Sequence, residues 1–192
     1  KNYKNKDQEN DNNDVEMEDD DYFNNIENID NLKEIEAPIN NLDDLIKLGL
    51  SFDPKSNDKF VINLKKLNNC VPHLIKLNEL IGLKDIKDNI MNLIFFHLQN
   101  FDNDSKSSMK HTILEGEPGT GKTEVSSILA KIYHGLGLTK NDKFFVFKRS
   151  DLIGKYLGHT AAKTQECFNK AKGGVMFIDE AYSLGNDEGK DS

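Results

Sequence analysis

Residues 116–123 read Gly-Glu-Pro-Gly-Thr-Gly-Lys-Thr and fit the pattern G-x-x-x-x-G-K-[S/T]. Glycines in this pattern let the backbone curl around a phosphate, and the N-terminus of the following helix adds partial positive charge. Residues 111–115, HTILE, predict a short buried strand before the loop. Apolar residues then recur at helical spacing at Val125, Ile128, Leu129 and Ile132. A strand, a glycine loop and a helix together predict a phosphate-binding site.

Two side chains of this loop have predicted chemical roles. Lys122 would reach the β- and γ-phosphates of a nucleotide, and the Thr123 hydroxyl would ligate Mg²⁺. The expected nucleotide contacts in this region are Gly116, Glu117, Pro118, Gly119, Thr120, Gly121, Lys122, Thr123 and Glu124. The alternative is a glycine-rich turn with a purely structural role.

A second motif follows an apolar segment near the end of the sequence. Residues 175–178, VMFI, predict a buried strand, and Asp179 and Glu180 follow it directly. Ligands of open α/β sheets bind beyond the carboxyl ends of the strands, so a parallel sheet would bring this pair to the phosphate loop. We expect Asp179 to hold Mg²⁺, directly or through water. We expect Glu180 to orient and deprotonate a water that attacks the γ-phosphate, with Lys122 as the second catalytic residue. The alternative is a solvated acidic turn.

The first part of the sequence predicts helices. Residues 42–48 predict a short helix that stops at Gly49. Residues 60–62 fit either a strand or the start of a helix. Leucines and valines then recur at threes and fours over residues 64–80, where Pro72 predicts two helices or one kinked helix.

The remaining elements alternate between helices and strands. An apolar stripe predicts a helix over residues 86–101, and the helix after the phosphate loop runs to about residue 134. Residues 144–147, FFVF, predict a buried strand. A loop over residues 150–158 and a helix over residues 160–172 complete the path to the second motif.

Charge is distributed unevenly along the chain. Residues 1–36 contain four Lys against thirteen Asp and Glu, a net charge of −9, whereas the whole chain carries −8. We expect this acidic segment to be a disordered tail, because it buries too little apolar surface to offset the entropy of ordering. Residues 37–79 would form a small helical preface, and residues 80–192 part of a nucleotide-binding domain. The nearly neutral remainder has no basic stripe, which disfavours nucleic-acid binding.

The cysteines and the apolar runs bear on the compartment. Cys70 and Cys167 are far apart and have no CxxC partner, which predicts reduced thiols. No apolar run approaches the length of a membrane span, and no secretory signal is visible. We expect a cytoplasmic protein without a membrane partner.

Three sequence runs carry a resemblance to a known family. The runs GEPGTGKT, RSDLIGKYLGHTAAKT and GGVMFIDEAYSL resemble the AAA+ ATPases, with greatest similarity to the branch that contains the red-type rubisco activase CbbX and the sporulation protein SpoVK. The resemblance covers residues 80–184. It implies an α/β P-loop NTPase of the AAA+ type: a partial parallel sheet flanked by helices, with Walker A and Walker B motifs. It also implies ATP and Mg²⁺ as ligands, and places Ile81 and Gly82 beside the adenine.

The same resemblance implies a mechanical function. In this family an aromatic-containing loop lines the central pore of a hexameric ring and grips a substrate polypeptide. Tyr156, Leu157 and Gly158 match that loop. The alternative is a tyrosine packed on its own domain. The resemblance therefore implies a homo-oligomeric ring in which ATP hydrolysis remodels a protein client.

The family pattern also extends beyond this sequence. AAA+ chains continue past the Asp-Glu strand with a fourth strand bearing a sensor residue, an arginine finger and a helical lid, and no counterpart precedes Ser192. In the family sheet, the fourth strand lies between the two motif strands, so without it backbone groups stay unpaired. We therefore expect a fragment of a longer protein that contains the N-terminal part of the nucleotide-binding domain and by itself binds nucleotide with little turnover. The alternative is a sheet that closes in another way.

Two other functions stay open. A small-molecule or nucleotide kinase would use the same phosphate loop, but such enzymes usually lack a Glu directly after the metal-binding Asp, so Glu180 argues against it. A truncated, non-catalytic subunit could bind ATP and scaffold an assembly, with the acidic tail as a docking arm. A DNA-handling role is disfavoured by the lack of a basic track.

Overall fold

The structure is a computed structural model that describes residues 32–35, 38–56, 60–99, 111–154 and 158–185. The predicted acidic tail falls almost wholly outside these ranges. Within them, the helices are α1 (Leu42–Leu50), α2 (Leu64–Glu79), α3 (Lys84–Leu98), α4 (Lys122–Gly135), α5 (Arg149–Leu152) and α6 (His159–Ala171). The strands are β1 (Phe144–Phe147) and β2 (Val175–Ile178), and a 3-10 helix spans Ala181–Gly185.

A close helix contact replaces the stop predicted at Gly49. Helix α1 begins after Asn41, whose side-chain oxygen accepts a hydrogen bond from the Asp44 amide at 2.9 Å. The helix continues through Gly49 to Leu50, so the predicted stop is wrong. A Cβ at position 49 would lie 2.5 Å from Cγ2 of Val71 in α2. The glycine therefore lets two helices approach closely.

Helix α2 passes through Pro72 without a break. A proline removes one helix hydrogen bond and crowds the carbonyl four residues earlier. The expectation of two helices is nevertheless wrong, because α2 is one continuous element with Pro72 inside it. Apolar residues on both sides of the proline are buried: Leu67, Val71, Leu74 and Leu77. Tertiary packing of both halves outweighs the local cost.

Helices α1 to α4 share one hydrophobic core, which we call the helical core. Its most fully buried side chains include Leu45, Leu67, Ile94 and Ile132, each contributed by a different helix. The helix that follows the phosphate loop is thus packed among the preceding helices. The boundary proposed at residue 80 stays a prediction, and this core continues across it.

The sheet consists of two parallel strands among the described residues. β1 pairs with β2 in the register Phe144↔Val175 to Phe147↔Ile178, and α5 and α6 form the crossover between them. A second cluster, which we call the sheet core, combines Phe147, Leu152, Cys167 and Ala171. This parallel sheet with flanking helices confirms the α/β class.

Three local expectations differ from the structure. Residues 111–115 belong to no strand, whereas a strand was predicted there. The predicted loop 150–158 begins with part of the short helix α5. Residues 60–62 are neither a strand nor a helix, although Phe60 forms an isolated bridge with Lys33. A parallel strand needs a partner that is distant in sequence, which explains why the strand predicted over residues 111–115 is absent.

Within the described residues, no helix combines the length and the apolar character needed to cross a membrane.

Candidate functional site

The phosphate loop leads directly into helix α4. Gly119 and Gly121 have φ angles of +78° and +79°, in the left-handed region that glycine adopts without strain. Gly121 is the residue before α4, and no side chain caps this helix end. The first intrahelical bond runs from the Val125 amide to the Gly121 carbonyl at 2.9 Å. The amides of the preceding first turn therefore have no partner within the helix and can bind an anion.

Lys122 and Thr120 close the loop on itself. The Nζ atom of Lys122 donates hydrogen bonds to the carbonyl oxygens of Gly116, at 2.8 Å, and Glu117, at 2.7 Å. The Thr120 hydroxyl donates to the same Glu117 oxygen at 2.8 Å. The lysine ammonium is thus held at the loop, where the sequence pattern places it. Thr123 is exposed in the first turn of α4.

The segment before the loop is attached to α4. The Thr112 hydroxyl and the Tyr133 hydroxyl lie 2.6 Å apart and share a hydrogen bond. Leu114 packs against the helical core, whereas Ile113 is 83% exposed. These contacts hold the loop's entry to its own helix, without strand pairing. No sequence signal indicated the Thr112–Tyr133 pair, because the two residues are 21 positions apart.

The acidic pair lies where β2 ends. The Asp179 amide donates to the Phe147 carbonyl at 2.8 Å, which extends the strand pairing by one residue. Glu180 then adopts a φ of +54°, a left-handed conformation that costs a non-glycine residue about 1–2 kcal/mol. The Ser183 amide donates to the Glu180 carbonyl at 2.9 Å. The backbone therefore turns directly after Asp179, and Glu180 is exposed.

The two motifs are not joined by direct bonds. Within the described residues, no hydrogen bond or ion pair involves the side chain of Asp179 or Glu180, and the Lys122 ammonium bonds only to its own loop. The loop is attached to the helical core through α4, while the acidic pair follows a strand of the sheet core. A shared role for both in one site is therefore a proposal.

Ile81 and Gly82 lie in the turn between α2 and α3. The Ile81 side chain is 98% exposed, which is unusual for an isoleucine. Gly82 has a φ of +73°, and Leu83 follows in the left-handed region at +57°. The turn therefore presents an uncovered apolar side chain to its surroundings.

An open groove of about 760 Å³ lies between the C-terminal end of α2 and helix α4. Its lining includes Leu80, which directly precedes the turn, and Thr123 and Glu124 in the first turn of α4. His73 lies further along the same groove. Burial, and next the nearby Lys131, lower the pKa of His73 from its ordinary value. The groove thus includes the residue before Ile81 and two of the predicted nucleotide contacts, Thr123 and Glu124.

The predicted pore loop falls mostly outside the described residues. Tyr156 and Leu157 lie in the gap, and their placement is not described. Gly158 precedes α6 with a φ of +84°. The Gly154 amide donates to the Thr160 hydroxyl at 3.1 Å, so backbone on one side of the gap is bonded to a side chain on the other.

Comparison with known proteins shows which family this part of the chain resembles. Residues 112–192 match the family described as "ATPase family associated with various cellular activities (AAA)". This range includes both the phosphate loop and the acidic pair. Over these residues the chain is similar to the AAA ATPase family, and that similarity supports nucleotide binding.

Individual relatives agree with this assignment. A cfxQ-like protein of Acanthamoeba polyphaga mimivirus is 39% identical over 153 residues, covering 79% of this chain and 37% of the relative. The protein CbbX of Cereibacter sphaeroides is 42% identical over 111 residues, covering 55% and 36%. Stage V sporulation protein K of Bacillus subtilis is 35% identical over 121 residues, covering 60% and 38%. The chain thus spans just over a third of the length of these curated relatives, and the expected similarity to the CbbX and SpoVK branch is confirmed.

Proposed function

We propose that this chain binds ATP with Mg²⁺ and that the whole protein hydrolyses the ATP to remodel a protein client through the pore of a hexameric ring. The observation that carries the proposal is the loop geometry. Lys122 is held at a glycine loop whose following helix has uncapped amides. A donor set of this kind recognises phosphate oxygens.

Nucleotide binding would exchange hydrogen-bond partners within the loop. The Lys122 ammonium would leave the carbonyl oxygens of Gly116 and Glu117 for phosphate oxygens, which form stronger charge-assisted bonds. The exposed Ile81 would contact the adenine. Mg²⁺ would neutralise charge on the phosphates. The Thr123 hydroxyl and the Asp179 carboxylate would be its protein ligands, since Mg²⁺ usually binds few protein groups and keeps several waters.

Hydrolysis would depend on Glu180. Glu180 is exposed, directly follows the predicted metal ligand, and has a left-handed backbone conformation. It would accept the proton of the attacking water, while Lys122 stabilises charge that develops on the phosphates. Similarity to the AAA family over residues 112–192 supports ATPase activity.

The remodelling step rests on similarity to proteins of the CbbX and SpoVK branch. The Tyr156 side chain would grip the client, with Leu157 and Gly158 completing the loop. The hexameric ring, the client and a cytoplasmic location are parts of this proposal.

The experiment compares three substitutions in the whole protein. Lys122→Ala should abolish ATP binding in equilibrium titrations. Glu180→Gln should bind ATP but retain it unhydrolysed. Tyr156→Ala should keep ATPase activity and lose client remodelling.

The outcomes separate this function from its alternatives. Unchanged ATP affinity in Lys122→Ala would refute the loop assignment, and unchanged remodelling in Tyr156→Ala would refute the pore assignment. Binding without turnover in the unsubstituted whole protein would indicate a scaffold. Transfer of phosphate to an added acceptor would indicate a kinase.

A further inference from the structure

Lys87, in the first turn of α3, is bonded to the turn that carries Ile81. We propose that Lys87 is a positioning residue for nucleotide binding, which holds this turn so that Ile81 meets the base. The inference rests on the proposed function, since it assumes that a nucleotide binds with its base at Ile81. It adds a residue that neither nucleotide motif contains.

The Lys87 side chain spans the end of one helix and the turn after it. Its Nζ atom donates to the carbonyl oxygen of Asn78 at 3.0 Å and to that of Leu80 at 2.6 Å. Both oxygens lie at the C-terminal end of α2, where carbonyls have no partner in the helix and a cation is favoured. The ammonium thus fixes the backbone immediately before Ile81.

The Lys87 backbone holds the other side of the same turn. Its amide donates to the Leu83 carbonyl at 2.9 Å. Leu83 has a φ of +57°, which a bulky side chain rarely adopts without external support. One residue therefore bonds to the turn both before and after Ile81 and Gly82.

Packing alone leaves the centre of the turn unsupported. Leu80 and Leu83 pack against the helical core, but Ile81 is 98% exposed. A Cβ on Gly82 would meet no atom within 4 Å. Because the centre has no packing of its own, the hydrogen bonds of Lys87 determine where the Ile81 backbone lies.

The residue before Ile81 shares a groove with the helix that follows the phosphate loop. Leu80 lines the same groove as Thr123 and Glu124 in the first turn of α4. A nucleotide whose phosphates bind at that helix end would have its base within reach of this groove. Fixing the Leu80 carbonyl therefore affects the base end of the ligand while leaving the phosphate end unchanged.

The test separates base contacts from phosphate contacts. The full 192-residue chain is titrated calorimetrically with MgATP and, separately, with magnesium tripolyphosphate, which lacks base and ribose. If the turn of Lys87→Met is correctly placed about a tenth of the time, its Kd for ATP rises about tenfold. Its Kd for tripolyphosphate should stay unchanged. Lys87→Arg, which can donate to both carbonyls, should restore most of the ATP affinity.

Two further variants control for general destabilisation. Lys84→Met changes an exposed lysine in the same helix turn whose side chain forms no hydrogen bond within the described residues, and it should alter neither Kd. Ile81→Ser should lose ATP affinity selectively without disturbing the core. Combining it with Lys87→Met should add little, because both changes remove the same contact.

Equal losses for ATP and tripolyphosphate in Lys87→Met would overturn the inference, since that pattern indicates a general structural role. Unchanged ATP affinity would overturn it too. Lys122→Ala tests the proposed function separately, because it should weaken both ligands. If Lys122→Ala changes neither Kd, or if the unsubstituted chain binds neither ligand, the proposed function fails and the role of Lys87 fails with it.

Discussion

Gly135 is the place where helices α2 and α4 approach closely, and Gly135→Ala should therefore destabilise the protein. A Cβ at position 135 would lie 2.8 Å from the Sγ atom of Cys70 and 3.3 Å from the carbonyl oxygen of Asn69. The first distance is shorter than real Cβ contacts allow. The second neighbour is backbone, so relief requires a shift of α2 itself.

The magnitude follows from two opposing effects. Overpacking a core typically costs about 1–3 kcal/mol. Alanine in place of glycine within a helix returns at most about 1 kcal/mol, and less at its last residue. The net loss in the free energy of unfolding should be about 1–2 kcal/mol, measured by urea denaturation.

A double-mutant cycle tests whether the Cys70 sulfur is the atom that the added methyl group meets. Burial raises the pKa of the Cys70 thiol to about 12, so the thiol stays protonated and donates to the Ile132 carbonyl at 3.6 Å. Cys70→Ala alone should cost about 1 kcal/mol, comparable to removing one buried methyl group. The double variant should cost less than the two single losses together, by at least about 0.5 kcal/mol, because the new Cβ occupies the space of the sulfur.

The control is Gly185→Ala, where a Cβ would meet no atom within 4 Å. It should leave the free energy of unfolding unchanged. A neutral or stabilising Gly135→Ala would refute the close contact between α2 and α4. Strict additivity with Cys70→Ala would show that the sulfur is not what the added methyl group meets.

Three further changes test separate features. Glu180→Gly should raise the free energy of unfolding by about 0.5–1 kcal/mol, because relief of a left-handed residue exceeds the entropic cost of glycine. Lower stability in urea would contradict this. Asn63→Ala should lower the free energy of unfolding in urea by about 1 kcal/mol, because the buried Asn63 side chain caps α2 by accepting a hydrogen bond of 3.1 Å from the Lys66 amide. An unchanged urea midpoint would mean that this cap is not formed. Burial, Lys131 and Lys76 lower the pKa of His73 below 6.5. The folded state therefore favours neutral His73, and the stability that this provides is complete above pH 6.5 and is lost as the pH falls through the lowered pKa. His73→Gln should flatten that loss in urea midpoints measured across the range, and identical pH profiles would contradict the lowered pKa.

The sequence predicted features whose causes are local. The phosphate loop depends on glycines and a lysine at fixed spacing, and its left-handed Gly119 and Gly121 and the helix that follows agree with the pattern. Helix α4 ends as expected, at Gly135. These features need no distant partner, so a short sequence window contains their physical cause.

Features that depend on distant residues could not be predicted in the same way. The segment 111–115 has the composition of a strand, but it is attached to α4 by Thr112 and Leu114 and belongs to no sheet. Pro72 is accommodated because both halves of α2 are buried. Lys87 had no sequence signal, because a lysine in a first helix turn is ordinarily solvated.

The division into two cores has a consequence for the candidate site. The phosphate loop is held by the helical core, while Asp179 follows a strand whose partners belong to the sheet core. The two cores meet at Val175, which begins β2 and packs against the helical core, and its amide donates to the Lys143 carbonyl at 2.9 Å. Substitutions within one core should therefore affect one motif first: changes in α4 would disturb the phosphate loop, and changes in β2 would disturb the acidic pair. A displacement of the helical core at Val175 would be transmitted along β2 to Asp179.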